Sequence, residues 1–265
     1  MLGGNWALPA REGSVRGSAS GVAVAVLLAA AAQAADLDAA GVRAALAGAS
    51  AEHPADFSGK SLRNLDLSGL DFSGASLVHA DLFGAKLEAA NFTGANLEGA
   101  NLNLAWIIRA NFSRADLKGA SLVGPVVSMG MEQKPEEAPR FPGADFADAR
   151  IIARLGGDDL HGADFAGASM GADMRNQSMG LMRADLSGAN LAGADFSRAD
   201  LGHALFRYAR MQGAKLAGAS LLAADFTGAD LSGADLTGAD ASGAIFDQAV
   251  LAGAKGLDTV KGLTR

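Results

Sequence analysis

Four histidines, a group of methionines and an aspartate in nearly every fifth place are the residues with chemistry to offer. The histidines, His53, His79, His161 and His203, are scattered, and none stands in a metal-ligand spacing such as H-E-x-x-H. Met170, Met174, Met179 and Met182 lie close together, with His161 nearby. In an exported protein such thioethers would suit Cu(I), a soft ion. The plainer reading is that flexible methionine fills a misshapen core where leucine does not fit. The aspartates recur once per five residues, so their number follows from a repeat and not from paired acid–base groups. The absence of cysteine excludes disulfides and thiolate metal sites. There is no nucleophile elbow, P-loop or dinucleotide fingerprint, and the recurrent G-A-D triplets lead into no helix that could cradle a phosphate. No residue is therefore assigned as catalytic, cofactor-binding or metal-binding, and a protein without enzymatic activity or cofactor is expected.

The elements that hold these residues follow from the period. In "ADFTGADLSGADLTGAD" (224–240), Phe226, Leu231 and Leu236 recur every five residues. On a helix, five residues advance about 500°, which scatters them around the cylinder. On a flat strand, five is odd and sends them to alternate faces. Within one unit the pattern does work. Ala224 and Phe226 point the same way from a short extended piece, Asp225 points out, and Thr227-Gly228 suits a turn in which glycine supplies positive φ. A chain that turns every five residues winds into a coil with its bulky residues inside. Periodicity alone leaves open how many corners close that coil.

The pattern A-(D/N)-(L/F)-(S/T/x)-(G/x) resembles the pentapeptide-repeat family across nearly all of Ala55 to Ala254. Two runs keep register over long distances, with central residues from Phe57 to Leu122 and from Leu186 to Leu251. Such fixed-period self-similarity marks a solenoid. The resemblance implies an all-β solenoid, a right-handed quadrilateral β-helix of four pentads per coil, with the central residue and the small residue two before it pointing inward. It also implies that residues twenty apart stack on one face. Asp66 would then lie beside Lys86, and Lys215 between Asp195 and Asp235, an alternation that avoids like charges facing each other.

The chain divides by composition. Arg11 and Arg16 precede "GVAVAVLLAAAA" (21–32), which ends in Ala32-Gln33-Ala34. A basic stretch, a short apolar core and an A-x-A site describe a secretory signal peptide over 1–34, cleaved after Ala34. The apolar run is shorter than the about 20 residues of a membrane span, so no insertion is expected after cleavage. An uncleaved anchor is the alternative. Pro9 and Glu12 before Arg16 fit a translation start nearer Val15. Cleavage moves the net charge from −7 to −8, with 20 basic and 28 acidic residues left. This moderate acidity argues against nucleic acid as a partner.

Residues 35–54 read as a capping helix and lead-in, with Leu37, Val42 and Leu46 at helical spacing behind a possible N-cap at Asp38. Residues 55–124 and 184–254 are the two repeat runs. Between them, 125–143 reads as a proline-rich loop, and 144–183 as irregular coils with a bulge at 172–183. Residues 255–265 form a C-terminal cap, in which Leu257, Val260 and Leu263 would plug the last coil.

Function is then expected on the outside. Leu104, Trp106 and Ile108 fall at outward positions. Either they form a partner patch, or Val126, Val127 and Met129 fold back over Trp106, which is the preferred reading. Leu205 and Tyr208 form a second outward group without such a cover. The expected role is a periplasmic or secreted, non-enzymatic scaffold that binds another protein, with a homodimer as a further alternative. Loop 125–143 and stretch 172–183 would carry recognition. Some members of the family resemble B-DNA in shape and charge and protect DNA gyrase. Alternating charges weaken that alternative here, and export would separate the chain from a cytoplasmic topoisomerase.

Overall fold

A computed structural model describes residues 36–130, 134–172 and 182–263. The leader expected at 1–34 and its cleavage site lie outside the described residues, as do Met174 and Met179 and most of the 172–183 stretch.

One pentad shows how the chain makes its corners. Ala224 and Phe226 are fully buried. Gly228 takes φ 66°, and Ala229 N–H donates to Phe226 C=O at 2.9 Å. This is a type II turn, whose third residue must have positive φ. Between corners the backbone bonds to the neighbouring coils instead. Asp225 N–H reaches Ala204 C=O at 3.0 Å, and Phe226 N–H reaches Ile245 C=O at 2.8 Å. The polar groups of the short extended piece that the corners do not use are thus satisfied by the coil before or after it.

Repetition of this unit gives four columns of parallel bridges, in which residues such as Asp56, Ser76 and Asn96 pair at intervals of twenty. The interval changes in the middle of the chain. Asn111 pairs with Arg140, Arg140 with Asp159, and Asp159 with Asn190. These steps of 29, 19 and 31 locate two insertions and one deletion relative to the twenty-residue coil. The first insertion is narrower than 125–143. Val126 bridges Trp106, Val127 is buried in the core, and Phe141 is a fully buried central residue followed by a Pro142-Gly143 corner. The proline-rich composition hid these residues, because proline is compatible with a turn position. The irregular stretch contracts too. Residues 144–172 form coils apart from one four-residue step, Ile151 to Leu155, where β2 (Arg150–Ile152) pairs in parallel with β1 (Ser121–Val123).

Phenylalanines run through the whole core. Phe72, Phe92, Phe112 and Phe141 stack in one column, Phe146, Phe165 and Phe196 in a second, and Phe206, Phe226 and Phe246 in a third. Tilted contacts, Phe141–Phe146 at 57° and Phe196–Phe206 at 85°, pass the stack from column to column. Stacked centroids lie 4.8–5.1 Å apart, the spacing of neighbouring strands. Both insertions are crossed without a break, at Phe112–Phe141 and Phe165–Phe196. Each buried ring contributes about 1.5–3 kcal/mol, and each ring pair about 0.5–1.5 kcal/mol more. The interior is therefore occupied by its own side chains.

The first coil is covered by α1 (Ala39–Ala47), whose N-cap Asp38 accepts from Gly41 N–H at 2.7 Å. Val42 is fully buried, with Leu37 and Leu46 partly so. Leu65 and Leu70 stand where later coils have alanine and pack partly buried against the core. The larger side chains fill the uneven space beneath a helix. At the other end, Leu257 and Val260 pack against the core, but Phe246 and Leu251 stay only half-buried.

Candidate protein-binding surface

The outward aspartates have a structural task first. In pentad after pentad an Asp Oδ1 accepts the N–H two residues on, as Asp225 does from Thr227 at 2.9 Å and Asp230 from Ser232 at 3.0 Å. That N–H opens the corner and has no other protein partner, so a short acceptor at this position relieves it. Where Ser or Thr follows, the hydroxyl donates as well, as Ser232 Oγ does to Asp230 at 2.6 Å. These hydroxyl bonds, and then the N–H bonds, hold Asp230 and Asp235 below the usual carboxylate range. Asp240 is lowered to about 2, first by the Lys261 ammonium and then by Ser242.

Charge along one column departs from the expected alternation. Asp66 does bridge Lys86, and Lys215 lies between Asp195 and Asp235. Yet Asp116, Asp145, Asp164 and Asp195 bridge one another in unbroken succession. A uniform twenty-residue count misses this series, because its steps are 29, 19 and 31. The signal was in the sequence, in the lengths of the two interruptions. Lys215 Nζ closes the series at 3.0 Å from Asp195. Burial works to raise the Asp195 pKa, and the bonds from Ser197 and Lys215 outweigh it, so the group remains below the usual range.

Among the described residues, twelve corners take positive φ without glycine, including His79, Leu104, Arg109, His203 and Tyr208. Left-handed backbone costs an ordinary residue roughly 1 kcal/mol, so these positions carry side chains at the expense of local stability. The side chains lean along the stack toward the corner of the next coil. A Cβ on Gly228 would lie 2.5 Å from the Tyr208 ring, and one on Gly124 3.1 Å from Leu104 Cδ2. His79 over Gly99 and Asn64 over Gly84 repeat the arrangement.

An outward apolar group lies at the corner where the first insertion departs. Leu104, Trp106 and Met129 are 48%, 40% and 65% exposed, and Trp106 bridges Lys86 on one side and Val126 on the other. The fold-back cover expected for Trp106 is not formed: Val127 turns into the core and Met129 faces solvent. Ile108, expected to be outward, is fully buried. The neck of the insertion is fixed beside it by Glu137, whose C=O accepts from Arg109 N–H at 2.8 Å. The Glu137 carboxylate accepts from Ser128 Oγ at 2.5 Å and Met129 N–H at 3.0 Å. Arg109 also pairs with Glu88.

The second expected group divides. Tyr208 is 64% exposed, but Leu205, bridged between Asp185 and Asp225, is 8% exposed. Asp225 is nearly buried and is held by Arg207 Nε at 2.6 Å. An outward register position is thus not by itself an exposed one. The methionines separate as well: Met170 is a fully buried core residue, whereas Met182 is largely exposed. His161 Nδ1 is 2.8 Å from Asp159 Oδ1. Among the described residues no group of three or more His, Cys, Asp or Glu is arranged to hold a metal ion, and no helix is long and apolar enough to cross a membrane.

The model for "Pentapeptide repeats" matches residues 55–88, 85–124, 184–221 and 224–255, in eight copies. No curated protein sequence matches the chain significantly. Among solved structures, it is similar to HetL, a pentapeptide repeat protein involved in heterocyst differentiation regulation from the cyanobacterium Nostoc, at 28% identity over 85% of this chain and 94% of that one, with a TM-score of 0.42. A pentapeptide repeat protein, Rfr23, from the cyanobacterium Cyanothece 51142 is 25% identical over 64% and 90% of the two chains, with a TM-score of 0.33. The plasmid-mediated fluoroquinolone resistance protein QnrB1 is 21% identical over 70% and 89%, with a TM-score of 0.41. With the family model covering more than half of its length, and with four columns of bridges wound from five-residue units, the chain belongs to the pentapeptide-repeat family.

Proposed function

We propose that this protein is an exported, non-enzymatic scaffold whose four-sided coil, right-handed as the family resemblance implies, presents a surface to another protein. The observation that carries the reading is the cluster of Leu104, Trp106 and Met129 on the outside of a solenoid whose interior is filled by leucine and phenylalanine. A filled interior leaves no substrate cavity inside the coils, while an exposed tryptophan with apolar neighbours is the kind of group that anchors protein interfaces. The leader at 1–34 supports a periplasmic or secreted location. The test is photo-crosslinking in cells from a probe placed at Leu104, with a probe at Glu98 as control. A discrete adduct from Leu104 alone supports the scaffold reading, and equal or absent adducts from both positions reject it. Mass spectrometry of the mature protein tests export separately: a chain beginning at Ala35 is expected.

A second reading, mimicry of a nucleic-acid duplex toward a topoisomerase such as DNA gyrase, is favoured by the Asp116, Asp145, Asp164 and Asp195 series. Against it, Lys215 and Lys255 stand further along the same column, so one sign does not persist. Inhibition of gyrase supercoiling by the purified chain, lost on replacing Asp145 and Asp164 by lysine, would favour this reading over the first.

A further inference from the structure

We infer that the Trp106 face recognises an extended acidic segment of a partner protein, in which an apolar side chain stands between two carboxylates. This rests on the scaffold reading and names the chemistry of the partner. The column across this face runs through Lys86, Trp106 and Val126 by parallel bridges. The following coil resumes it with Arg154, which precedes the buried Leu155 as Val126 precedes the buried Val127. Trp106 is 40% exposed and Val126 half-buried, while Lys86 and Arg154 are exposed. Every polar side-chain group in this interval is a donor: the Lys86 ammonium, the Trp106 indole N–H and the Arg154 guanidinium. None of the three has a hydrogen-bond or ion-pair partner among the described residues. The acids beside them are already engaged. Glu88 pairs with Arg109, and Glu137 accepts from Ser128 Oγ and Met129 N–H. Asp66, next along the column, is held below the usual carboxylate range first by Ser68, with Lys86 contributing little. What is left is an apolar centre with a cation at each end and no acceptor of its own.

The spacing fixes the form of the segment. Neighbouring coils lie about 4.8 Å apart, so three steps place Lys86 and Arg154 about 14 Å from each other at the backbone. An extended chain rises about 3.4 Å per residue and turns residues i, i+2 and i+4 to one side, covering the same about 14 Å. Laid along the column, it brings carboxylates at i and i+4 to the two cations and the side chain at i+2 to Trp106 and Val126. Covering the apolar pair excludes water and strengthens both ion pairs. An anionic membrane would also suit a tryptophan among cations. A membrane, however, is a plane that meets the whole side of the rod. It would face Asp66 and Asp185, which bridge Lys86 and Arg154 from outside the interval, on a chain of net charge −7. A five-residue segment ends before either aspartate, and the charge pattern therefore selects the peptide.

The experiment is fluorescence anisotropy of a labelled glycine–serine decapeptide with the core Glu-Thr-Phe-Thr-Glu, titrated with the purified protein. Saturable binding is expected. It should weaken by at least about tenfold in Trp106→Ala, in the double variant Lys86→Glu/Arg154→Glu, and when glutamine replaces both glutamates of the peptide. The double variant should instead bind the peptide with lysine in both acidic places, which the parent rejects. Circular dichroism checks that each variant keeps the fold, since all three side chains are outside the core. Equal binding of the glutamate and glutamine peptides overturns the inference, as does a charge swap that restores nothing. Trp106-dependent binding to phosphatidylglycerol vesicles without binding of the peptide overturns it in favour of a membrane. If the probe at Leu104 captures a partner while the acidic peptide does not bind, the scaffold reading stands and this inference falls.

Discussion

Replacing Phe112 by alanine removes the ring that carries the aromatic stack across the first insertion. Phe112 is fully buried, 4.8 Å from Phe92 at 2° and 5.1 Å from Phe141 at 10°. Truncating a buried phenylalanine costs about 3–5 kcal/mol, from lost transfer free energy and the cavity left behind. Two stacked neighbours and a backbone pinned on both sides by hydrogen bonds limit how far the site can collapse, which places Phe112→Ala in the upper half of that range. Phe83 is the comparison, as the one phenylalanine outside the stack. It is half-exposed, with the Arg63 guanidinium 4.4 Å from its ring centroid, and its truncation costs about 1 kcal/mol through the lost cation–π contact. Urea denaturation followed by circular dichroism measures both variants against the parent. If Phe112→Ala costs no more than Phe83→Ala, the filled core is wrong.

Gly228→Ala is expected to destabilise more than Gly233→Ala. Both have positive φ, but only the first would press a Cβ against Tyr208, and the difference should vanish in a Tyr208→Ala background. Excising residues 129–137 restores the twenty-residue spacing and should leave the thermal midpoint nearly unchanged; excising 125–143 also takes Val127 and Phe141 from the core and should lower it sharply. Asp240, depressed to about 2 by Lys261 and Ser242, stabilises the fold at pH values above its unfolded pKa, and that contribution is lost as pH falls through about 2. An NMR titration should place its midpoint near 2 in the parent and higher in Lys261→Ala.

Much of this architecture was legible because the repeat leaves one solution for its apolar residues: the central residues from Phe57 to Leu122 and from Leu186 to Leu236 are buried, Ala241 included. Legibility failed where local composition and long-range register disagree. Val127 and Phe141 were hidden by the prolines around them, and the acidic series by interruptions that shift the count. Exposure was harder still. Trp106, Ile108 and Leu205 occupy formally outward positions, yet their burial depends on what the neighbouring coils and the insertion neck place over them, which no five-residue pattern encodes.

The most direct test of the coil uses two adjacent leucines and the absence of native cysteine. Leu221 is fully buried and Leu222 is 48% exposed, because one is the central residue of its pentad and the next opens the corner. Single Leu221→Cys and Leu222→Cys variants, labelled in the folded state with a thiol reagent, should react at rates differing by roughly a hundredfold or more, with Leu222→Cys the faster. Equal rates would contradict the inward placement of one bulky side chain per pentad, and with it the assignment of function to the outer surface.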